Sequence, residues 1–142
     1  ANDTISALIA LDASITLASV RGQRTVRLAD FYPGFRQTLL QPDELVTSIV
    51  IPKMKPSERG VFVKLGLRRA QAISVIHFAI VLDLEGEVIR NARVALGCLA
   101  PTVVRGPNTE ALLIGQTLSP ALCAEAGKVA LTDVEPIGDV RG

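Results

Sequence analysis

The stretch ISVIHFAIVLDLEGEVIRNARVALGCLA, residues 73–100, decides the fold. Ile73 to Leu84 and Val88 to Ala100 are apolar on both sides in their middles, and they are joined through Glu85-Gly86-Glu87. A strand that alternated apolar with polar residues would bury only one face. Two continuous apolar runs flanking a glycine turn predict a hairpin of central strands covered on both faces. Upstream, Val61, Val63, Leu65 and Leu67 alternate with Phe62, Lys64, Gly66 and Arg68, a period of two that predicts a strand with one uniformly apolar face and Lys64 on the other.

Further outward the signals weaken but stay readable. Pro52 and Pro56, with Ser57 among charged neighbours, mark residues 53–60 as a linker. Before it, Leu45 to Ile51 reads as a strand introduced by Pro42-Asp43-Glu44 and stopped by Pro52. Phe31-Tyr32-Pro33-Gly34-Phe35 reads as a loop with apolar anchors, and Ile15 to Leu28 as a hairpin turned at Gly22. A short helix from Asp3 to Leu11, capped by Asp3 or Thr4, opens the chain. After Pro101, Asn108 or Thr109 caps a helix ending at Gly115. Ser119-Pro120 then opens a helix of about three turns, buried through Leu122, Ala126, Val129 and Ala130. The fold class is therefore α+β, with an antiparallel sheet covered by helices.

Composition narrows the function classes. Fifteen basic and 14 acidic residues leave a net charge of +1, which provides no field to attract nucleic acid. His77 and Asp83 interrupt the longest apolar run, so no segment reaches the roughly 18 apolar residues of a membrane span. The start Ala-Asn-Asp-Thr lacks the basic flank of a secretory signal. Cytoplasm is the default location, and the missing methionine suggests a processed or truncated chain. Cys98 and Cys123 cannot supply the four thiolates of an iron–sulfur or structural zinc site, and they read as small buried hydrophobes. No Walker loop, G-x-G-x-x-G stretch or H-E-x-x-H helix occurs, which argues against independent catalysis. His77, the sole histidine, reads as a satisfied core residue.

Several short motifs gain meaning from their order. Asp3 with its helix, Phe31 to Leu40 (FYPGFRQTLL), Pro42-Asp43-Glu44-Leu45, Ile49-Val50-Ile51-Pro52, Lys64-Leu65-Gly66-Leu67-Arg68-Arg69, Ala72-Ile73-Ser74 and Asp139-Val140-Arg141-Gly142 follow one another along nearly the whole chain. This series resembles the FAD-binding subunits or domains of molybdenum hydroxylases of the carbon monoxide dehydrogenase, xanthine dehydrogenase and aldehyde oxidase type.

The resemblance implies that residues 1–52 are the carboxyl-side part of a FAD-binding module and 61–142 a small carboxyl-terminal module. It also implies that the phosphate-binding glycine loops and a last helix lie outside the chain. It implies FAD as cofactor, with the molybdenum cofactor on a large partner subunit, iron–sulfur clusters on a small one, and an electron acceptor such as NAD or quinone.

By the same resemblance, Asp3 accepts a ribityl hydroxyl, Val46 touches the isoalloxazine ring and Lys64 lies near the pyrimidine, the carboxylate and the amine standing at opposite ends of the riboflavin moiety. From the residues alone, Asp3 is equally a helix cap, Val46 ordinary strand packing and Lys64 a solvent-facing lysine. Arg68 and Arg69 read as flavin-entrance or surface residues, with no ligand role assigned. A non-catalytic module that docks onto larger subunits is the alternative reading.

Overall fold

The computed structural model describes residues 3–138; the Asp139–Gly142 motif lies outside them. Helix α1 (Asp3–Ala10) leads into strands β1 (Ser14–Ser19) and β2 (Gly22–Arg27), and β3 (Leu45–Val50) follows a long loop. These make an antiparallel sheet of order β2-β1-β3, with the hairpin turning at Gly22 as the sequence predicts. Gly22 adopts φ 133°, a conformation that residues with a Cβ rarely reach.

The second sheet contains β4 (Glu58–Gly66), β5 (Ser74–Glu85), β6 (Val88–Gly97) and β7 (Val104–Arg105), antiparallel in that order. Helices α2 (Pro107–Leu113) and α3 (Pro120–Val129) complete the chain.

The β5–β6 hairpin is buried on both faces, as residues 73–100 predict. On one face Ala79, Val81 and Ala95 join Ile9 and Ala10 of α1, Ile15 and Leu17 of β1, and Phe31 in one core. On the other, Ile89, Val94 and Leu96 join Leu113 of α2 and Leu122 and Ala126 of α3, with Phe78, Ile80 and Leu82 alongside. The alternation of β5 divides its side chains between these two cores.

Ions stitch the layers together at their rim. Arg93, on β6, donates to the carbonyl of Ala10 at the end of α1 (2.7 Å) and to Glu58 of β4 (2.8 Å). Arg105 of β7 pairs with Asp12 (3.2 Å) and with Glu110 of α2 (2.6 Å).

Three expectations need correction. β4 begins at Glu58, ahead of the expected Val61, and Glu58 is buried. Its apolar face is open to solvent at Val61, Val63 and Leu65, because β4 is an edge strand and nothing among the described residues covers it. The N-cap of α2 is Gly106, with Pro107 opening the helix. The amides of Asn108 and Thr109 instead receive their acceptor from Asp133, 24 or 25 residues away, at 3.0 and 2.9 Å. Cys98 is only partly buried and Cys123 is exposed; both are free thiols.

One close approach controls the centre of the second sheet. His77 is fully buried on β5 and pairs with Gly97 of β6; a Cβ at position 97 would sit 2.0 Å from the imidazole Cε1. Gly97→Ala is expected to destabilise the chain by about 1–3 kcal/mol through overpacking. Gly127→Ala, in α3 with open space around it, should stabilise by about 0.5–1 kcal/mol through helix propensity. Denaturant midpoints check both, and equal midpoints for Gly97→Ala and the parent would refute the contact.

Candidate functional site

The first residue of α1 meets the second sheet at its edge. Lys64 stands on β4 opposite His77 of β5, and a register shift follows between Leu65 and Gly66. The loop after β4 doubles back so closely that a Cβ on Gly66 would lie 2.9 Å from that of Ala72. Arg68 clasps this loop by donating to the Gln71 carbonyl from Nε at 3.1 Å and from Nη2, and Gln71 itself takes a left-handed φ of 49°. The tight return brings the Ala72 carbonyl to 2.7 Å from Lys64 Nζ.

Asp3 completes the cluster. Its Oδ2 accepts from Lys64 Nζ at 2.6 Å, and its Oδ1 accepts from Ser74 Oγ at 2.6 Å. Lys64 and Ser74 hold the Asp3 carboxyl below its ordinary value against a smaller opposing effect of burial, so the group is ionised at neutral pH. The ammonium has three N–H donors and uses two here, while the carboxylate retains unused lone pairs. The two side chains are 30% and 41% exposed, so those remaining positions are accessible from outside. An ion pair this open contributes about 0–1 kcal/mol to stability, too little to explain its presence as a fold determinant.

The residues singled out from the sequence divide accordingly. Asp3 and Lys64 are in direct contact, which corrects the expectation that folding would set them at opposite ends of a flavin-sized span. Lys64 contacts α1 while keeping 30% of its side chain exposed. Val46 lies on β3, an edge strand of the other sheet, opposite Leu17 and half exposed; it is not part of the cluster. Ser74 and the Ala72 carbonyl belong to the Ala72-Ile73-Ser74 motif, but their roles depend on a long-range approach that no local pattern signals.

Beneath the pair, His77 Nδ1 lies 2.8 Å from Ser6 Oγ, while its Nε2 has no hydrogen-bond partner among the described residues. The histidine is thus core, as expected, but satisfied at one nitrogen only. A groove of about 680 Å³ is lined in part by Ile5, Tyr32, Phe35, Arg36, Val75 and Cys98. Arg36 and Cys98 both take left-handed backbone angles, φ 57° and 65°, and the Arg36 guanidinium stacks 5.1 Å from the centre of the Phe35 ring. Ile5 and Val75 place the groove within two residues of Asp3 and Ser74 along the chain. Asp3, Lys64 and Val46 are not among its lining residues.

Residues 62–142, more than half of the chain, match the CO dehydrogenase flavoprotein C-terminal domain. The chain belongs to this family. Residues 1–54 match the FAD binding domain in molybdopterin dehydrogenase. The nicotinate dehydrogenase FAD-subunit of Eubacterium barkeri is 35% identical over 124 residues, covering 84% of this chain and 42% of the relative. The carbon monoxide dehydrogenase medium chain of Hydrogenophaga pseudoflava is 28% identical over 141 residues, 99% of this chain and 49% of the relative.

A solved structure of carbon monoxide dehydrogenase from that organism, lacking the Mo-pyranopterin moiety of its molybdenum cofactor, superimposes with a TM-score of 0.92 at 30% identity. It covers 99% of this chain and 49% of its own. The antiparallel α+β fold of this family member is therefore the one its relatives share. The chain spans about half the length of the curated relatives it matches.

Burial pushes the His77 imidazole below its ordinary 6.5; the Asp3 carboxylate opposes this and the Lys64 ammonium adds to it. The unfolded chain thus takes up a proton that the folded one refuses, so stability is full above pH 6.5 and falls as the pH drops below that value. Denaturant titrations between about pH 8 and pH 5 should show this slope. His77→Gln should remove it, and a slope unchanged in the variant would assign it to other groups.

Proposed function

We propose that the chain works as part of a flavoprotein subunit that relays electrons from iron–sulfur clusters through FAD to an acceptor, within a molybdenum-containing oxidoreductase. The observation that carries the reading is the accessible Asp3–Lys64 pair, with donor and acceptor capacity left over, in a chain of this family. On this reading residues 1–52 are the carboxyl-side part of the FAD-binding module and 61–142 the small carboxyl-terminal module, joined through 53–60. The partners are a molybdenum-binding large subunit and an iron–sulfur small subunit, with NAD or a quinone taking the electrons.

The residues present fit the cofactor. In riboflavin the ribityl chain leaves N10 beside N1, and the C2 carbonyl adjoins N1, so a polyol hydroxyl and the pyrimidine edge lie close together. An adjacent carboxylate and ammonium match that corner. Asp3 would accept from a ribityl hydroxyl with its remaining lone pairs, and Lys64 would offer its third N–H to the pyrimidine edge. Val46, half exposed on β3, would supply apolar surface to the ring. Bound FAD supplies the electron-holding chemistry. Lys64, seated by Asp3 and the Ala72 carbonyl, would offer a positive charge to that edge of a bound flavin.

In the subunit assembled with its partners, flavin absorbance and acceptor reduction are expected. Asp3→Ala should lower flavin occupancy, and Lys64→Ala should lower the flavin midpoint potential. The 142-residue chain alone, without glycine-rich phosphate loops in its sequence, should bind FAD weakly or not at all by fluorescence quenching. An assembled protein without flavin absorbance, or variants with unchanged occupancy and potential, would overturn the reading.

A further inference from the structure

How much of the Lys64 charge is felt beyond the ion pair depends on where the Asp3 carboxylate is held. The carboxylate divides its two oxygens between two donors, Oδ2 to Lys64 and Oδ1 to Ser74, each at 2.6 Å. Ser74 is the first residue of β5, only 3% exposed and paired with Gly66, so the strand backbone fixes its hydroxyl. A hydroxyl has one proton, and this one is donated to Asp3. Two residues earlier, the Ala72 carbonyl grips Lys64. A single turn therefore holds both members of the pair, the acid through a side chain and the base through the backbone.

We propose that Ser74 is a positioning residue: its hydroxyl fixes the Asp3 carboxylate on the Lys64 ammonium and thereby sets how much positive charge the pair presents to a flavin at this site. The inference rests on the flavin reading above. A charge-assisted O–H···O⁻ bond of this length is among the stronger hydrogen bonds available to a side chain, and the Ser74 hydrogen bond is the second largest influence on Asp3 after that of Lys64. Without it Oδ1 turns to solvent, the carboxylate loosens from Nζ, and Lys64 is less compensated. Reduction at the adjoining pyrimidine edge then becomes easier.

In the flavin-loaded protein, Ser74→Ala should raise the flavin midpoint potential by about the equivalent of a tenfold change in the reduced-to-oxidised ratio, ~30 mV for a two-electron couple. Ser74→Cys, which fills the site with a weaker donor, should move the potential the same way, while Ser74→Thr, which keeps the hydroxyl, should stay near the parent. Asp3→Asn should raise the potential as well, and adding Ser74→Ala to it should change nothing further. In the 142-residue chain, carbon NMR of the Asp3 carboxyl should show its titration midpoint rising in Ser74→Ala.

An unmoved Asp3 titration, or a potential shift that adds to that of Asp3→Asn, overturns the positioning role. An Asp3 titration that moves while the flavin potential does not overturns the tuning role and leaves the flavin reading standing. A Ser74-dependent titration in an assembled protein without flavin absorbance overturns both the flavin reading and the tuning role.

Discussion

Burial of Ile9 and Ala10 in one core with Ala79, Val81 and Ala95 seats α1 on the four-stranded sheet, and that seat determines where Asp3 comes to rest. A fully buried aliphatic side chain contributes about 1.5–3 kcal/mol, several times the return from an exposed ion pair. The order of cause follows from those magnitudes. Apolar packing places the helix, Arg93 anchors its far end through the Ala10 carbonyl, and only then does the first helical residue meet an ammonium from β4. The pair is a product of the fold and not a support for it, which leaves it available for work on a ligand.

The sequence was legible wherever the deciding pattern was local. Alternation and turn residues located the β1–β2 and β5–β6 hairpins, and the double-sided apolar runs foretold that β5 and β6 would be covered on both faces. Ser119, which accepts from the Leu122 amide at 3.2 Å, capped α3 where the Ser-Pro pair said it would. Residues whose role is set by distant chain were not legible. Asp133 serves the start of α2 from beyond α3, and β7, two residues long, exists only because Ala95 and Leu96 offer it a partner. A period-two pattern said nothing about whether the apolar face of β4 would be covered.

The candidate site shows the same divide. Asp3 and Lys64 stand out by resemblance, but their separation is not readable, since they are 61 positions apart and the contact depends on how α1 crosses the sheet. Ser74 lay within a quoted motif without a function, because a serine opening a strand has no distinguishing pattern until its acceptor is known. The groove is assembled from five separate stretches of chain, and its two left-handed non-glycine residues, Arg36 and Cys98, mark places where surrounding structure imposes a conformation the residue alone disfavours.

The imidazole resting on Gly97 ties two distant positions to a shared history. Any lineage that gains a side chain at 97 must first, or simultaneously, shrink the ring at 77, because the vacant space between β5 and β6 belongs to one of them at a time. Drift at this spot is therefore expected to proceed by paired replacement, with each single intermediate passing through a less stable protein.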